Sequence, residues 1–183
     1  NATTGYLCGS SGCFRYTTNG GANWQGTNPP TTGTMQRILV SGSTIYVGGF
    51  DQVNIYSTTD IGTTWNTIPF AASGQYSTFN IYSTDIVGST ILVGGTYRLM
   101  NKSTNAGANW VTATSHTTVA NMVDVYASSG NGRVIAIGSN TGGLDACVYS
   151  TNGGTTWSRG TGAVPNNVLS DLSMRNSTTG YVV

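Results

Sequence analysis

The chain has 183 residues and a net charge of +1, with seven basic residues against six acidic ones. Only 7% of residues are charged, Glu is absent and Lys occurs once, while Gly, Thr, Ser and Asn make up half of the chain. This argues against a helical protein, since those four residues are poor in helix interiors, against a nucleic-acid binder, since no basic patch exists to neutralise phosphates, and against disorder, since 38% hydrophobic residues with ten Tyr and four Trp can bury a core.

The predicted elements are short β-branched and aromatic runs separated by Gly, Ser and Asn, a pattern of strands and turns. Tyr6-Leu7-Cys8-Gly9 comes first, then a turn at Gly9–Gly12 and the segment Thr17–Trp24. Ile38-Leu39-Val40 and Tyr46-Val47-Gly48 precede the segment Thr58–Trp65. Phe79-Asn80-Ile81-Tyr82 and Ile91-Leu92-Val93-Gly94 precede Ser103–Trp110. Met122–Tyr126 and Val134–Gly138 precede Ser150–Trp157, and the chain then runs through Val168–Met174 and Asn176–Val182. This order predicts one domain over 1–183, with repeat units over 1–33, 34–74, 75–118 and 119–165. Residues 166–183 start a further repeat or supply a closing strand. No apolar run approaches the ~20 residues of a membrane-spanning helix.

All four tryptophans close the same motif, Ser/Thr-x-Asp/Asn-x-Gly-x-x-Trp. Its positions are Thr17, Asn19, Gly21 and Trp24, then Thr58, Asp60, Gly62 and Trp65, then Ser103, Asn105, Gly107 and Trp110, then Ser150, Asn152, Gly154 and Trp157. Successive tryptophans are 41, 45 and 47 residues apart. The Asp or Asn side chain can close an Asx-type turn, the Ser or Thr hydroxyl can tie it to the preceding strand, and Gly supplies a positive φ. The Trp is expected to fold back over its own hairpin and be buried, so the motif is a structural staple.

Four-stranded units of about 40–50 residues with turn signals at fixed offsets suggest propeller blades. The motif resembles the Asp-box, or BNR, repeat of sialidases, sortilin-like receptors and secreted bacterial propellers. The stretches Asn1–Tyr6 and Thr17–Trp24 also resemble repeats of photosystem II assembly-factor-like propellers and of secreted Bacteroidota propellers joined to a sorting domain. The resemblance covers nearly the whole chain. It implies an all-β, β-propeller-like fold of four Asp-box blades, each of about four antiparallel strands, with the first and last blades incomplete. It implies no activity, because one fold hosts many functions.

The termini are in the same phase: Asn176–Val182 repeats Asn1–Leu7 at an offset of 175 residues. The first unit lacks its opening strand, and Val168–Met174 looks like that strand. Three explanations are open: a ring of four blades closed by the C-terminal strand, a piece of a longer propeller, or completion of a blade in a neighbouring subunit. An unpaired edge is a template for such pairing.

The sialidase resemblance implies an arginine triad, a Tyr–Glu nucleophile pair and an Asp acid/base. No Glu is present, and Arg15, Arg37, Arg98, Arg133, Arg159 and Arg175 carry no recognisable context. A glycosidase needs two carboxyl groups at a set separation, and the candidates are Asp51, Asp60, Asp85, Asp124, Asp145 and Asp171. Asp60 reads as structural, while Asp51 and Asp145 fall in loops. His116, in a Thr-rich stretch, reads as an exposed residue rather than a catalytic base. Asp124 and Asp171 sit in similar places before the second strands of their blades, which leaves a weak Ca²⁺ site as the one cofactor option. No catalytic residue, cofactor site or metal site is assigned. Tyr76, Tyr97, Phe50 and Phe70 lie in or near loops, where packing between blades competes with an exposed binding platform.

Cys8 and Cys13 flank a hairpin-type turn, so either a disulfide or two reduced thiols fits them, and Cys147 is left over. Sequons at Asn1, Asn101 and Asn176 mark glycosylation candidates. With few Lys and no Glu, they point to an extracellular or cell-surface protein. The expected function is a non-enzymatic extracellular structural or interaction protein, the repeating subunit of a fibre or filament assembled by strand completion. The alternatives are a monomeric carbohydrate- or protein-binding adhesin and a glycoside hydrolase fragment. Self-association is the expected partnership, favoured by low net charge, with glycans second and neither nucleic acid nor a membrane span expected.

Overall fold

The computed structural model describes residues 3–50, 54–69, 80–96, 99–112, 121–139, 146–160 and 169–183. Every regular element among them is a strand. They are β1 (Gly5–Cys8), β2 (Phe14–Thr17), β3 (Met35–Ser41), β4 (Thr44–Gly49), β5 (Asn54–Thr58), β6 (Asn66–Pro69), β7 (Ile81–Val87) and β8 (Thr90–Gly95). Then follow β9 (Met100–Ser103), β10 (Val111–Thr112), β11 (Asn121–Ala127), β12 (Val134–Ser139), β13 (Cys147–Ser150), β14 (Ser158–Arg159), β15 (Leu172–Met174) and β16 (Gly180–Val182).

Three sheets hold four antiparallel strands each, in chain order: β3 to β6, β7 to β10 and β11 to β14. β1 and β2 form a two-stranded sheet, extended by a single bridge from Tyr16 to Gln25, and β15 and β16 form another. The tryptophan motif fixes the strand positions. Thr17, Thr58, Ser103 and Ser150 end β2, β5, β9 and β13, so β1 and β2 occupy the second and third places of a blade. β15 lies beside β11, as β11 lies beside β7 and β7 beside β3. That puts β15 and β16 in the first and second places. β1 and β15 are not paired with each other. The array is therefore an open, incomplete propeller, and the closing-strand pairing is not made.

The first strand of each four-stranded sheet carries a bulge at the same step, between Met35 and Arg37, between Ile81 and Ser83, and between Met122 and Asp124. A bulge bends the strand and increases its twist. The core lies in layers between successive sheets. Phe14, Met35, Ile45, Val47 and Tyr56 fill the first boundary. Tyr46, Ile55, Ile68, Ile81, Ile91, Val93 and Leu99 fill the second, and Leu92, Met100, Met122, Val134, Ala136 and Val148 the third. A sheet buried on both faces needs apolar residues at consecutive positions, which is why Ile45-Tyr46-Val47 and Ile91-Leu92-Val93 read as runs rather than alternations. Burying each Val, Leu, Ile, Met or Phe of these layers stabilises the fold by about 1.5–3 kcal/mol.

Of the two readings of Cys8 and Cys13, the structure has the reduced one: Cys8, Cys13 and Cys147 are free thiols. The hairpin register opposes Cys8 to Phe14, and the Gly9 amide bonds the Cys13 carbonyl. The two cysteines are thus one step out of register, and neighbouring positions of a strand project to opposite faces. Of the sequon residues, Asn101 is buried in β9 at 1% exposure. Asn176 is exposed, in the turn between β15 and β16; Asn1 lies outside the described residues.

Candidate interaction surfaces

The four motif turns have one geometry. In the second, the Thr58 hydroxyl donates to Asp60 Oδ1 at 2.7 Å and accepts the Gly62 amide at 2.8 Å, while the Thr64 amide donates to Asp60 Oδ1 at 2.9 Å. Thr17, Asn19, Gly21 and Asn23 repeat this pattern, as do Ser103, Asn105, Gly107 and Asn109, and Ser150, Asn152, Gly154 and Thr156. Only Asp60 has a second oxygen to use, and it accepts the Thr64 hydroxyl at 2.6 Å. Bonds from the Thr64 hydroxyl, the Thr64 amide and the Thr58 hydroxyl hold the Asp60 carboxyl at about 2, well below the usual range.

The tryptophan ring lies against its own turn, as expected: a Cβ on Gly21, Gly62 or Gly154 would fall 3.8, 3.5 or 3.5 Å from the ring of Trp24, Trp65 or Trp157, and Trp157 Nε1 donates to the Gly154 carbonyl at 3.1 Å. Three of the four rings also bridge to the preceding sheet. Trp65 meets Phe14 of the first sheet edge-on, at 4.9 Å between ring centroids, and its Nε1 donates to the Thr27 carbonyl at 2.9 Å. The Thr27 hydroxyl in turn donates to the Gly62 carbonyl. Trp110 packs on the cluster that holds Ile55 and Ile68 of the preceding sheet, and Trp157 on the cluster that holds Leu92 and Met100. The motif glycines lie against the same sheets. A Cβ on Gly107, where φ is +92°, would fall 2.4 Å from Ile68 Cγ2, so no other residue fits there without displacing the neighbouring blade.

This corrects the expectation that all four tryptophans are buried. Trp157 is buried, Trp65 and Trp110 are half-buried, and Trp24 is 43% exposed. The cause is positional. No described sheet precedes the first one, so Trp24 lacks the surface that its three counterparts cover. Leu7 shows the same effect: it is 37% exposed, whereas Val47, Val93 and Ala136 at the matching places are at most 1% exposed. At the other end, β16 is open, with Tyr181, Val182 and Val183 all exposed. Tyr149 of β13 is also exposed, on the face turned away from the third sheet.

The first strands carry a polar belt. Arg37 donates from Nε to the Tyr82 carbonyl at 2.5 Å and from Nη2 to the Val123 carbonyl at 3.4 Å, and it lies 4.0 Å from Asp124. Asp124 Oδ1 accepts the Ser83 hydroxyl at 3.0 Å, and its Oδ2 accepts the Leu172 amide at 3.1 Å. Asp85 accepts the Ile86 amide at 2.7 Å and the Ala127 amide at 2.5 Å, and burial raises its carboxyl above the usual range. These carboxylates act as struts between neighbouring first strands. Asp171, exposed, lies one residue before β15, and its amide pairs with the Val183 carbonyl. Among the described residues, no three metal-ligating side chains gather.

A cleft of about 420 Å³ opens beside Arg37, lined also by Cys8, Tyr82 and Val123. Burial pushes the Cys8 thiol up, Cys13 adds to this, and Arg37 opposes it. A groove of about 270 Å³ lies between the third and fourth sheets, lined by Lys102, Asn109, Val111 and Thr155. Lys102 donates to the Thr155 hydroxyl at 3.2 Å across it. Phe50 is not a free platform: it packs edge-on against Tyr82 at 5.3 Å. Asp51, Phe70, Tyr76, Tyr97, Arg98, His116 and Asp145 lie outside the described residues. Sequence reasoning missed the belt, although Arg37, Ser83 and Asp124 fall at one repeat position, two residues after a buried Met or Ile.

A scan of protein-family models finds no match, and neither does a search of curated proteins. Solved structures do match. The WD40 β-propeller domain of Doa1 aligns over 100% of this chain and 58% of its own, at 14% identity and a TM-score of 0.75. A YCF48 structure, bound to D1 peptide, aligns over 94% and 55%, at 16% identity and a TM-score of 0.66. An ancestral GH74 enzyme aligns over 89% of this chain and 23% of its own, at 21% identity and a TM-score of 0.67. The chain thus spans between about a quarter and three-fifths of the structures it matches. These likenesses, with the sheets above, identify the fold as that of a β-propeller.

Proposed function

We propose that the chain is a non-enzymatic structural and interaction protein of Asp-box type, working at the cell surface or outside the cell. It assembles with copies of itself by strand completion, as the repeating subunit of a fibre or filament. The observation that carries this reading is the interface between successive sheets, which recurs three times as the motif tryptophans Trp65, Trp110 and Trp157 pack on the sheet before them. That contact is heterologous, so the same contact between copies makes a filament when it does not close. The low net charge and the Ser/Thr/Asn surface support association of this kind. Light scattering together with electron microscopy of the 183-residue chain tests it. Growth of oligomers or filaments with concentration is expected, and a 19 kDa species at every concentration would contradict it.

A second reading, a monomeric binding domain, draws on the groove beside Lys102, which offers an apolar floor with a few hydrogen-bonding groups. A propeller of similar fold is seen bound to a peptide. Binding of an unstructured peptide or a glycan that is lost in Lys102→Ala, by a chain that stays monomeric, would favour it.

A further inference from the structure

We infer that Asn131-Gly132, in the turn between β11 and β12, is a deamidation site where water converts Asn131 to aspartate and isoaspartate, while the Asn-Gly pairs of the motif turns are held back. This goes beyond the self-assembly reading and does not depend on it. The sequence holds three Asn-Gly pairs: Asn19-Gly20, Asn131-Gly132 and Asn152-Gly153. Such a pair carries its own nucleophile. The Gly nitrogen gives up its proton to hydroxide and attacks the Asn Cγ. The N–Cγ bond forms, the Cγ–Nδ2 bond breaks, and ammonia leaves. Water then opens the cyclic imide at one carbonyl or the other, giving aspartate or isoaspartate. The balance is Asn plus water to Asp plus ammonia, with nothing oxidised or reduced. Glycine favours ring closure because it has no side chain in the way.

All three asparagines are exposed, so access to water does not separate them. Geometry does. In the motif turns the glycine amides are engaged: Gly20 donates to the Thr3 carbonyl at 2.8 Å and Gly153 to the Gly132 carbonyl at 2.6 Å, as Ala106 donates to the Ser89 carbonyl at 2.8 Å in the third sheet. A bonded amide gives up its proton only when the turn opens. Asn19 and Asn152 aim Oδ1 along the turn, at the amides of Asn23 and Thr156, and Asn152 Nδ2 donates to the Thr156 hydroxyl at 2.8 Å. Asn131 is set differently. Its Oδ1 accepts the Arg133 amide at 3.0 Å, two residues on, which folds the side chain over the Gly132 peptide. That donor also faces the oxygen that gains negative charge during the attack. Among the described residues the Gly132 amide has no acceptor. Gly132 also sets the order of events. Its carbonyl holds the Gly153 amide, and a Cβ on it would fall 3.4 Å from the Gly153 nitrogen. Isoaspartate at 131 lengthens the main chain by a methylene, which shifts that carbonyl and frees Gly153. Asn152 is then the second site, and Asn19, whose glycine is held by Thr3, stays behind.

Peptide mapping by mass spectrometry tests this on the whole chain, incubated at mildly alkaline pH both folded and in urea. Each conversion adds one negative charge to a net charge of +1, so isoelectric focusing follows the total. In urea the three pairs are expected to convert at similar rates. In the folded chain Asn131 is expected to keep its urea rate, and Asn19 to convert roughly tenfold or more slowly, as an amide closed in a folded turn does. Asn152 is expected to convert after a lag, and only in chains already converted at 131. Asn131→Ser keeps a side-chain oxygen for the Arg133 amide and removes the reacting amide, so Asn152 is expected to stay unconverted in it. Asn131 slowed by folding as much as Asn19, or Asn19 converting as fast folded as in urea, overturns the site. Asn152 converting without a lag, converting in Asn131→Ser as in the unmodified chain, or never following Asn131, overturns the order.

Discussion

Trp65 and Phe14 meet edge to face across the boundary between the first two sheets, with ring planes at 84°. They belong to different repeats, 51 residues apart in the chain. Phe14 is fully buried because Trp65 and Gly62 close over it. A double-mutant cycle on Trp65→Ala and Phe14→Leu, read by urea unfolding, is expected to give a coupling of about 1 kcal/mol, the range for aromatic pairs. Additive single effects would mean that the rings pack independently.

Ile61 sits at φ 58°, a left-handed conformation that a β-branched side chain resists. The matching residues of the other motifs are Gly20, Ala106 and Gly153, all with positive φ as well. Ile61 is 39% exposed, so little packing offsets the strain. Ile61→Gly is expected to stabilise the chain by about 1 kcal/mol and to raise its melting temperature, the gain in conformation exceeding the added freedom of the unfolded chain. An unchanged or lower melting temperature would count against strain at this turn.

The fold was legible in the sequence because its signal is local. The motif Thr58–Trp65 fixes one turn, and four copies at near-constant spacing fix a repeat. That each ring lies on its own turn was legible too; what it touches beyond the turn was not, because Trp65 meets Phe14 and Thr27, residues that no local rule connects to it. The same holds for Arg37 and Asp124. They are adjacent only because two bulged first strands run side by side, and a bulge of one residue leaves no mark in composition. Spacing left the Cys8–Cys13 pairing open because it turns on a one-residue register, which spacing alone does not determine. The burial of Asn101 was not legible either: Met100-Asn101-Lys102-Ser103 is a strand whose Asn faces the interior, at a place where the fourth sheet has Val148.

Asp60 is the one motif position with a carboxylate, and its pKa of about 2 gives the turn an acid dependence. The folded value lies below the unfolded one, so the carboxylate stabilises the fold above about pH 4 and that contribution is lost as pH falls towards 2. Asp60→Asn should remove this portion of the acid sensitivity while keeping the acceptor for the Thr64 amide. Thermal melts between pH 5 and pH 2 would show a shallower decline in the variant. Identical declines would mean that the Asp60 bonds are not formed in solution.

Glycan attachment distinguishes the two described sequons. Passage through a glycosylating secretory pathway is expected to modify Asn176, which is exposed at a turn, and to leave Asn101 bare in the folded chain. Intact-mass measurement of Asn176→Gln and Asn101→Gln reads this directly. Loss of a glycan from the Asn101 variant would show that β9 is open during or after folding.

The account stands on the tryptophan of each motif covering the sheet before it. Its most direct test is the unfolding free energy of Trp24→Ala, Trp65→Ala, Trp110→Ala and Trp157→Ala, measured at concentrations low enough to keep the chain monomeric. The last three should each cost about 3 kcal/mol, in the range for removing a packed aromatic side chain. Trp24→Ala should cost less than about 1 kcal/mol, as a surface substitution does. Four equal losses would contradict the account, because the contacts of each ring with its own turn, and not those with the sheet before it, would then carry the stability.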